Sequence, residues 1–292
     1  DGLIRAAPND DPIWWQQAYV GRALLAQGRT AAAFRICDGV VAQQGKDGSW
    51  SPSASSRGDT STRNIADSAT MATTVALAAK VAEPPRRARY LAALTRFWTY
   101  ARPYALPDGS WGNAQWQGIE YRAPYTCSTA TMTTLGYAMA DLTGDTSWAR
   151  AADISAIWLS KRFLPDGTGW WLDQDGTARQ FEIGGAGMGY HAGEGYTLAF
   201  YPMDAITAAL HCGGSDAKAW AATALRRFVS GERGLLKHWP AEVPGFAQHI
   251  PKAAAVFGPV RAAGVVAPQA DIARWGVGTD PIATGFYLYG LG

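Results

Sequence analysis

The sequence predicts an all-α protein, an α/α toroid in which about four helical hairpins stack into an incomplete barrel. Three observations carry this. A turn, Asp47-Gly48-Ser49-Trp50, returns as Asp108-Gly109-Ser110-Trp111, with a looser third copy at Asp166-Gly167-Thr168-Gly169-Trp170. The register survives beyond the turn, because Ala69-Thr70-Met71 and Ala130-Thr131-Met132 stand at the same offset from the first and second copies. A fixed period of this kind marks a structural repeat. Between the turns, helices that are apolar on nearly every face alternate with helices carrying one apolar stripe. A hairpin of that kind cannot bury its inner helix alone, so neighbouring hairpins must stack.

The elements follow in order. Asp11-Pro12-Ile13 reads as an N-cap with Pro at the first helical position, opening an inner helix over about 13–27. Gly28 ends it, and an outer helix spans about 30–44. Asp67 or Ser68 caps the second inner helix, about 68–82; Pro84-Pro85 breaks the chain before an outer helix at about 86–102. The third hairpin pairs 128–142 with 146–163. The fourth pairs 193–211, with Pro202 as an expected kink near its middle, with 215–230. Residues 232–278 show no helical pattern and are expected to form short strands or a lid. Asp280-Pro281-Ile282 echoes Asp11-Pro12-Ile13 and starts a closing helix. Residues 1–292 are read as one toroid domain, the alternative being a division near 231.

Composition narrows the function classes. A net charge of +2 supplies no basic field for nucleic acid, and no long unbroken apolar run predicts a membrane span. Thirteen Trp residues exceed what a core needs and suggest that some line a groove, where flat rings stack on sugars or apolar substrates. Cys37, Cys127 and Cys212 have no metal-ligand spacing. All three are expected as buried small hydrophobes, with one bridge left open. No zinc motif, phosphate loop, dinucleotide fingerprint or serine elbow is present. The chain begins at Asp1 with neither Met nor an apolar leader, as a secreted or periplasmic protein does after signal removal, and as a trimmed chain does.

Topology directs the chemistry. The polar loops 51–66, 112–126, 172–192 and 232–278 each follow an outer helix and precede an inner one. They therefore gather on one face, where the inner helices present their N-termini and favour negative charge. In the register of the repeat Asp59 answers Glu120, a pair of carboxylates of the kind glycoside hydrolysis uses. Arg57, Arg63 and Arg122 lie in the same loops, able either to grip substrate carboxylates or to pair with Asp59, Asp67 and Glu120. Trp116, Tyr121, Tyr125 and Tyr196 are the aromatic candidates for substrate contact. The densest cluster is Tyr190-His191-Ala192-Gly193-Glu194-Gly195-Tyr196. There His191 and Tyr190 are candidate proton carriers, and Glu194 a candidate acid, base or cation ligand. Asp204 is expected to pair internally, and His238 and His249 have no recognisable partners.

Gln44-x-x-Asp47-Gly48-Ser49-Trp50 resembles the Gln–Trp repeat of triterpene cyclases. Trp50-Ser51-Pro52 followed by Asp67-Ser68-Ala69-Thr70 resembles the turn and inner helix of family 10 pectate lyases, over a short part of the chain. The lyase resemblance implies β-elimination on a uronic-acid polymer, with Asp67 as a ligand of substrate or of a divalent cation such as calcium. No residue here matches that family's catalytic Arg. His191 or Tyr190 would then be the base, with Arg63 and Arg122 on the uronate carboxylate. The expected order of functions is a lyase acting on an acidic oligosaccharide or polysaccharide, then a glycoside hydrolase using Asp59, Glu120 or Glu194. A terpenoid cyclase or isomerase comes third, though its acidic motif is missing, and a non-catalytic glycan-binding scaffold last.

Overall fold

A computed structural model describes residue 3 and residues 11–51, 61–116, 118–161, 169–172, 178–181 and 200–230. Within them, α-helices alternate between inner and outer positions. The inner set is α1 (Trp14–Ala26), α3 (Ile65–Val81), α5 (Thr126–Thr143) and α7 (Phe200–Cys212). The outer set is α2 (Thr30–Ala42), α4 (Pro84–Ala101), α6 (Thr146–Ser160) and α8 (Ser215–Ser230). Each inner helix packs on the next, α1 on α3, α3 on α5 and α5 on α7, and each outer helix packs on its own inner partner.

The inner helices explain their own composition. Nearly all of α3 is buried, including Ser68, Thr70, Thr73 and Thr74. A buried hydroxyl is costly unless bonded. Here Thr70, Thr73 and Thr74 donate back to the carbonyls of Ala66, Ala69 and Thr70, one turn earlier. In α5, Thr129, Thr131, Thr133 and Thr134 do the same toward Tyr125, Cys127, Thr129 and Ala130. Threonine thus offers a small, self-satisfied surface to neighbours on every side.

Several local expectations are corrected. Asp11 does not cap α1; Ile13 is its extended N-cap residue and Pro12 is buried just before it. The second inner helix starts earlier than Asp67, at Ile65, because Asn64 caps it. Asn64 Oδ1 accepts from the Asp67 N–H at 2.6 Å while Asn64 Nδ2 donates to Asp67 Oδ2 at 2.9 Å. Pro84 and Pro85 open α4, since the first turn needs no N–H from them. Pro202 stands in the first turn of α7 as described, and residues 193–199 lie outside the described residues. Cys37, Cys127 and Cys212 are free thiols, and Cys212 is exposed at the end of α7. Burial pushes the Cys37 thiol up to about 12, with Asp38 adding to it.

Short strands appear where the sequence suggests only polar loops. β1 (Arg63–Asn64), β2 (Ala114–Trp116) and β3 (Ile119–Tyr121) form an antiparallel sheet in that order, with Asn64 opposite Ala114 and Gln115 opposite Glu120. β4 (Gly169–Leu172) and β5 (Ala178–Phe181) pair antiparallel in a second sheet. Because β1 comes from the loop after α2 and β2–β3 from the loop after α4, the first sheet ties two successive loops edge to edge on one face. The expected strands or lid at 232–278 and the closing helix after Asp280 lie outside the described residues.

Candidate functional site on the turn face

The repeated turn builds the floor of this face. In the first copy Asp47 Oδ1 accepts from Ser49 Oγ at 2.8 Å and from the Ser49 N–H at 3.1 Å. Asp108 and Ser110 repeat this pair of bonds. Gly48 and Gly109 have φ of 94° and 87°, and a Cβ at either would strike the next outer helix, at Arg96 or Ile154. Glycine is required for both reasons. Trp50 is buried, donates Nε1–H to the Val40 carbonyl at 2.8 Å and packs against Phe97. Gln44 Nε2 donates to the carbonyls of Gly48 and Ala93, stitching the turn to α4.

Above this floor the loops converge on the N-termini of α3 and α5. Asn113 joins the two: its carbonyl accepts from the Ile65 N–H, and its Oδ1 accepts from Ser128 Oγ at 2.7 Å. Ala114, next to it, is buried with φ of 62°, a left-handed backbone that costs a non-glycine residue about 1–3 kcal/mol. Such strain gathers where a precise backbone path serves a site. Asp67 is buried beside Asn64, and its charge reaches Cys127 at the start of α5, whose thiol burial already raises. Tyr125 is the buried N-cap residue of α5.

Arg63 and Arg122 both hold protein carboxylates. Arg63 forms an ion pair with Asp47 and donates to Ser49 Oγ at 3.0 Å, which ties it to the turn. Arg122 donates to Glu120 Oε1 at 2.8 Å. Tyr104 O–H donates to the same oxygen at 3.1 Å. These bonds, Arg122 first, hold the Glu120 carboxyl below its ordinary range. Both donors converge on Oε1, which orients the carboxylate.

Asp59, Arg57, Tyr190, His191, Glu194 and Tyr196 lie outside the described residues, as do His238 and His249. Trp116 and Tyr121 are placed by their backbones in β2 and β3, on the strand pair that carries Glu120. Asn113, Tyr104 and Ala114 belong to the site and carry no signal in the sequence pattern. No group of His, Cys, Asp or Glu among the described residues has the arrangement of a metal site. No helix among them is long and apolar enough to cross a membrane.

The helical order, the inward stacking and the loops gathered on one face describe one architecture. The fold is an α/α toroid. A solved structure, a family 76 glycoside hydrolase from a bovine Bacteroides thetaiotaomicron strain, is similar to this chain with a TM-score of 0.60. The match covers 98% of this chain and 70% of that one at 13% identity. No protein-family model matches the sequence, and no curated protein matches it. Neither the lyase nor the cyclase resemblance finds support in these comparisons.

The Asp47 network sets a pH response. Burial alone would raise this carboxyl, but bonds from Ser49 and then the Arg63 cation outweigh it, and the net direction is down. A folded-state pKa below the unfolded one contributes stability that is complete above the unfolded carboxylate range and is lost as pH falls through the folded value. Asp47→Asn is therefore expected to flatten the acid side of a plot of denaturation midpoint against pH. An unchanged slope would show that the pair adds nothing to acid stability.

Proposed function

We propose that the chain is a glycoside hydrolase that cleaves an oligosaccharide or polysaccharide on the turn face of the toroid. The observation that carries this is the similarity to a family 76 glycoside hydrolase along nearly the whole chain. It favours hydrolysis over β-elimination, which the sequence alone places first. The arginines support the same choice. A uronate lyase needs a cation for the substrate carboxylate, and of the candidate arginines the two among the described residues, Arg63 and Arg122, hold Asp47 and Glu120.

In this reading Glu120 is the ionised carboxylate. Two hydrogen bonds orient it and hold its pKa down, which suits a base or nucleophile and not an acid. The proton donor is drawn from Asp59, the equivalent of Glu120 in the repeat register, or from Glu194; His191 and Tyr190 belong to the same set of proton carriers. Trp116 and Tyr121, on the strand pair that carries Glu120, remain the aromatic candidates for sugar contact, and Asp67 is bonded to the N-cap residue of α3.

The test is incubation of the protein with a panel of neutral and acidic polysaccharides, following new reducing ends and unsaturated uronide absorbance together. Reducing ends without the absorbance are expected. Absorbance that rises with the reducing ends would replace hydrolysis by elimination.

A further inference from the structure

The junction between the second and third hairpins contains a pocket of about 250 Å³ beside the Asp108-Gly109-Ser110-Trp111 turn. Its walls include Trp98, Trp111, Trp148, Met132 and Leu135. The three indoles form one cluster, with ring centroids 4.5 Å apart for Trp98–Trp148 and 5.6 Å for Trp98–Trp111.

The repeat shows why the space is there. The first junction, between hairpins one and two, uses the same turn and the same packing. Turns and inner helices match in one register, Asp47 with Asp108 and Met71 with Met132. The receiving outer helices match in a slightly shorter one, because Gly48 lies against Arg96 as Gly109 lies against Ile154. On that alignment Ala105, Ala152 and Ser155, which line the pocket, stand where the first junction has Gln44, Leu94 and Phe97. All three of those larger side chains are buried, and the Phe97 ring lies 5.7 Å from Trp50, the counterpart of Trp111. At these three positions the second junction has one benzyl ring, one isobutyl group and one amide side chain fewer than the first, while Trp148 stands where the first has Tyr90.

We propose that this pocket is a binding site for a small uncharged aromatic molecule, of one or two rings, seated against Trp111 where the first junction seats the Phe97 ring against Trp50. The volume fits, since an apolar cavity of about 150 Å³ already binds benzene. The polar groups point to the same class. Ser110 Oγ donates to Asp108 Oδ1 at 2.5 Å, and Ser155 Oγ donates to the Gly109 carbonyl at 2.6 Å. Both wall hydroxyls are thus engaged, so a sugar would bring several hydroxyl groups into an apolar site with few partners, at the cost of unmade hydrogen bonds. Glu120 does not line this pocket, and the proposal does not depend on the hydrolase reading.

Fluorobenzene titrated into the whole protein, followed by 19F line broadening and by Trp fluorescence, tests the proposal. Saturable binding is expected. Ser155→Phe restores the ring of the first junction and is expected to weaken binding at least about tenfold, equivalent to about 1.4 kcal/mol. Ala105→Gln, at an exposed position on the rim, is expected to act in the same direction and decides the matter if Ser155→Phe does not fold. No saturable binding to the native protein, or equal binding by both folded variants, overturns the site. So does a neutral monosaccharide that binds where fluorobenzene does not.

Discussion

Asp204→Ala is expected to lower the free energy of unfolding by about 3–5 kcal/mol, the cost of removing one partner from a buried ion pair. Asp204 of α7 accepts from Arg22 Nη1 of α1 at 2.6 Å and from Tyr19 O–H at 2.7 Å. Arg22 and Asp204 are each at most 5% exposed. Arg22 also donates Nε–H to Thr74 Oγ1 and Nη2–H to the Thr70 carbonyl of α3. One guanidinium thus fastens α1, α3 and α7, joining positions 182 apart in the chain. Truncating the aspartate takes this anion away from a buried cation. The control is the apolar replacement Arg22→Met with Asp204→Leu and Tyr19→Phe, in which no charge remains. Well-packed replacements of buried ion pairs are often neutral or stabilising, so most of the lost stability should return. Denaturant unfolding followed by circular dichroism measures both. A loss below about 1 kcal/mol for Asp204→Ala would mean that the pair is not the tie it is argued to be.

Glu120→Gln is expected to reduce the rate of glycoside hydrolysis by roughly 10²–10⁴-fold, the range typical of a positioned acid or base. The amide keeps the shape and can still accept from Tyr104, so folding should be unaffected. Arg122→Met gives the complementary result. Arg122 is the first cause of the lowered Glu120 pKa, so removing it lets that pKa rise. If hydrolysis requires ionised Glu120, activity falls as pH drops through its pKa. The acid limb of kcat/KM should then move to higher pH in Arg122→Met, with the plateau largely retained. A limb that stays in place, or full activity in Glu120→Gln, would remove Glu120 from the chemistry and leave the catalytic carboxylates to Asp59 or Glu194.

Much of the architecture is legible because the repeat is carried by short-range rules. An Asp-Gly-Ser-Trp turn needs glycine at positive φ, a side-chain acceptor before it and a buried indole after it, and each is a property of a single position. The outer helix α8 matches its expected bounds, 215–230, because its stripe is clean. The first turn of each helix is harder to place, because capping is decided by competition among neighbouring polar residues. Asn64 wins over Asp67 and Ser68 by closing a reciprocal pair with Asp67. The small sheet is not legible at all. Such short strands have no period to read, and they pair only because stacking the hairpins brings their loops together.

The pairings show the same division. Asp204 must find a partner inside the protein, since it is a charge on an apolar helix. That the partner is Arg22, far away in the chain, follows only from the order in which the helices close on one another. Arg63 reads from sequence as facing the substrate or the loop carboxylates, yet it forms an ion pair with Asp47 of the turn while its backbone pairs with β2. The chain's local chemistry decides the turns, the alternation of inner and outer helices and the face on which the loops collect, since these depend on neighbours close in the chain. Which charges meet, which donors hold Glu120 and where the junction between hairpins stays open are set by tertiary packing. Each of those depends on groups that are distant in the chain and that no local pattern relates.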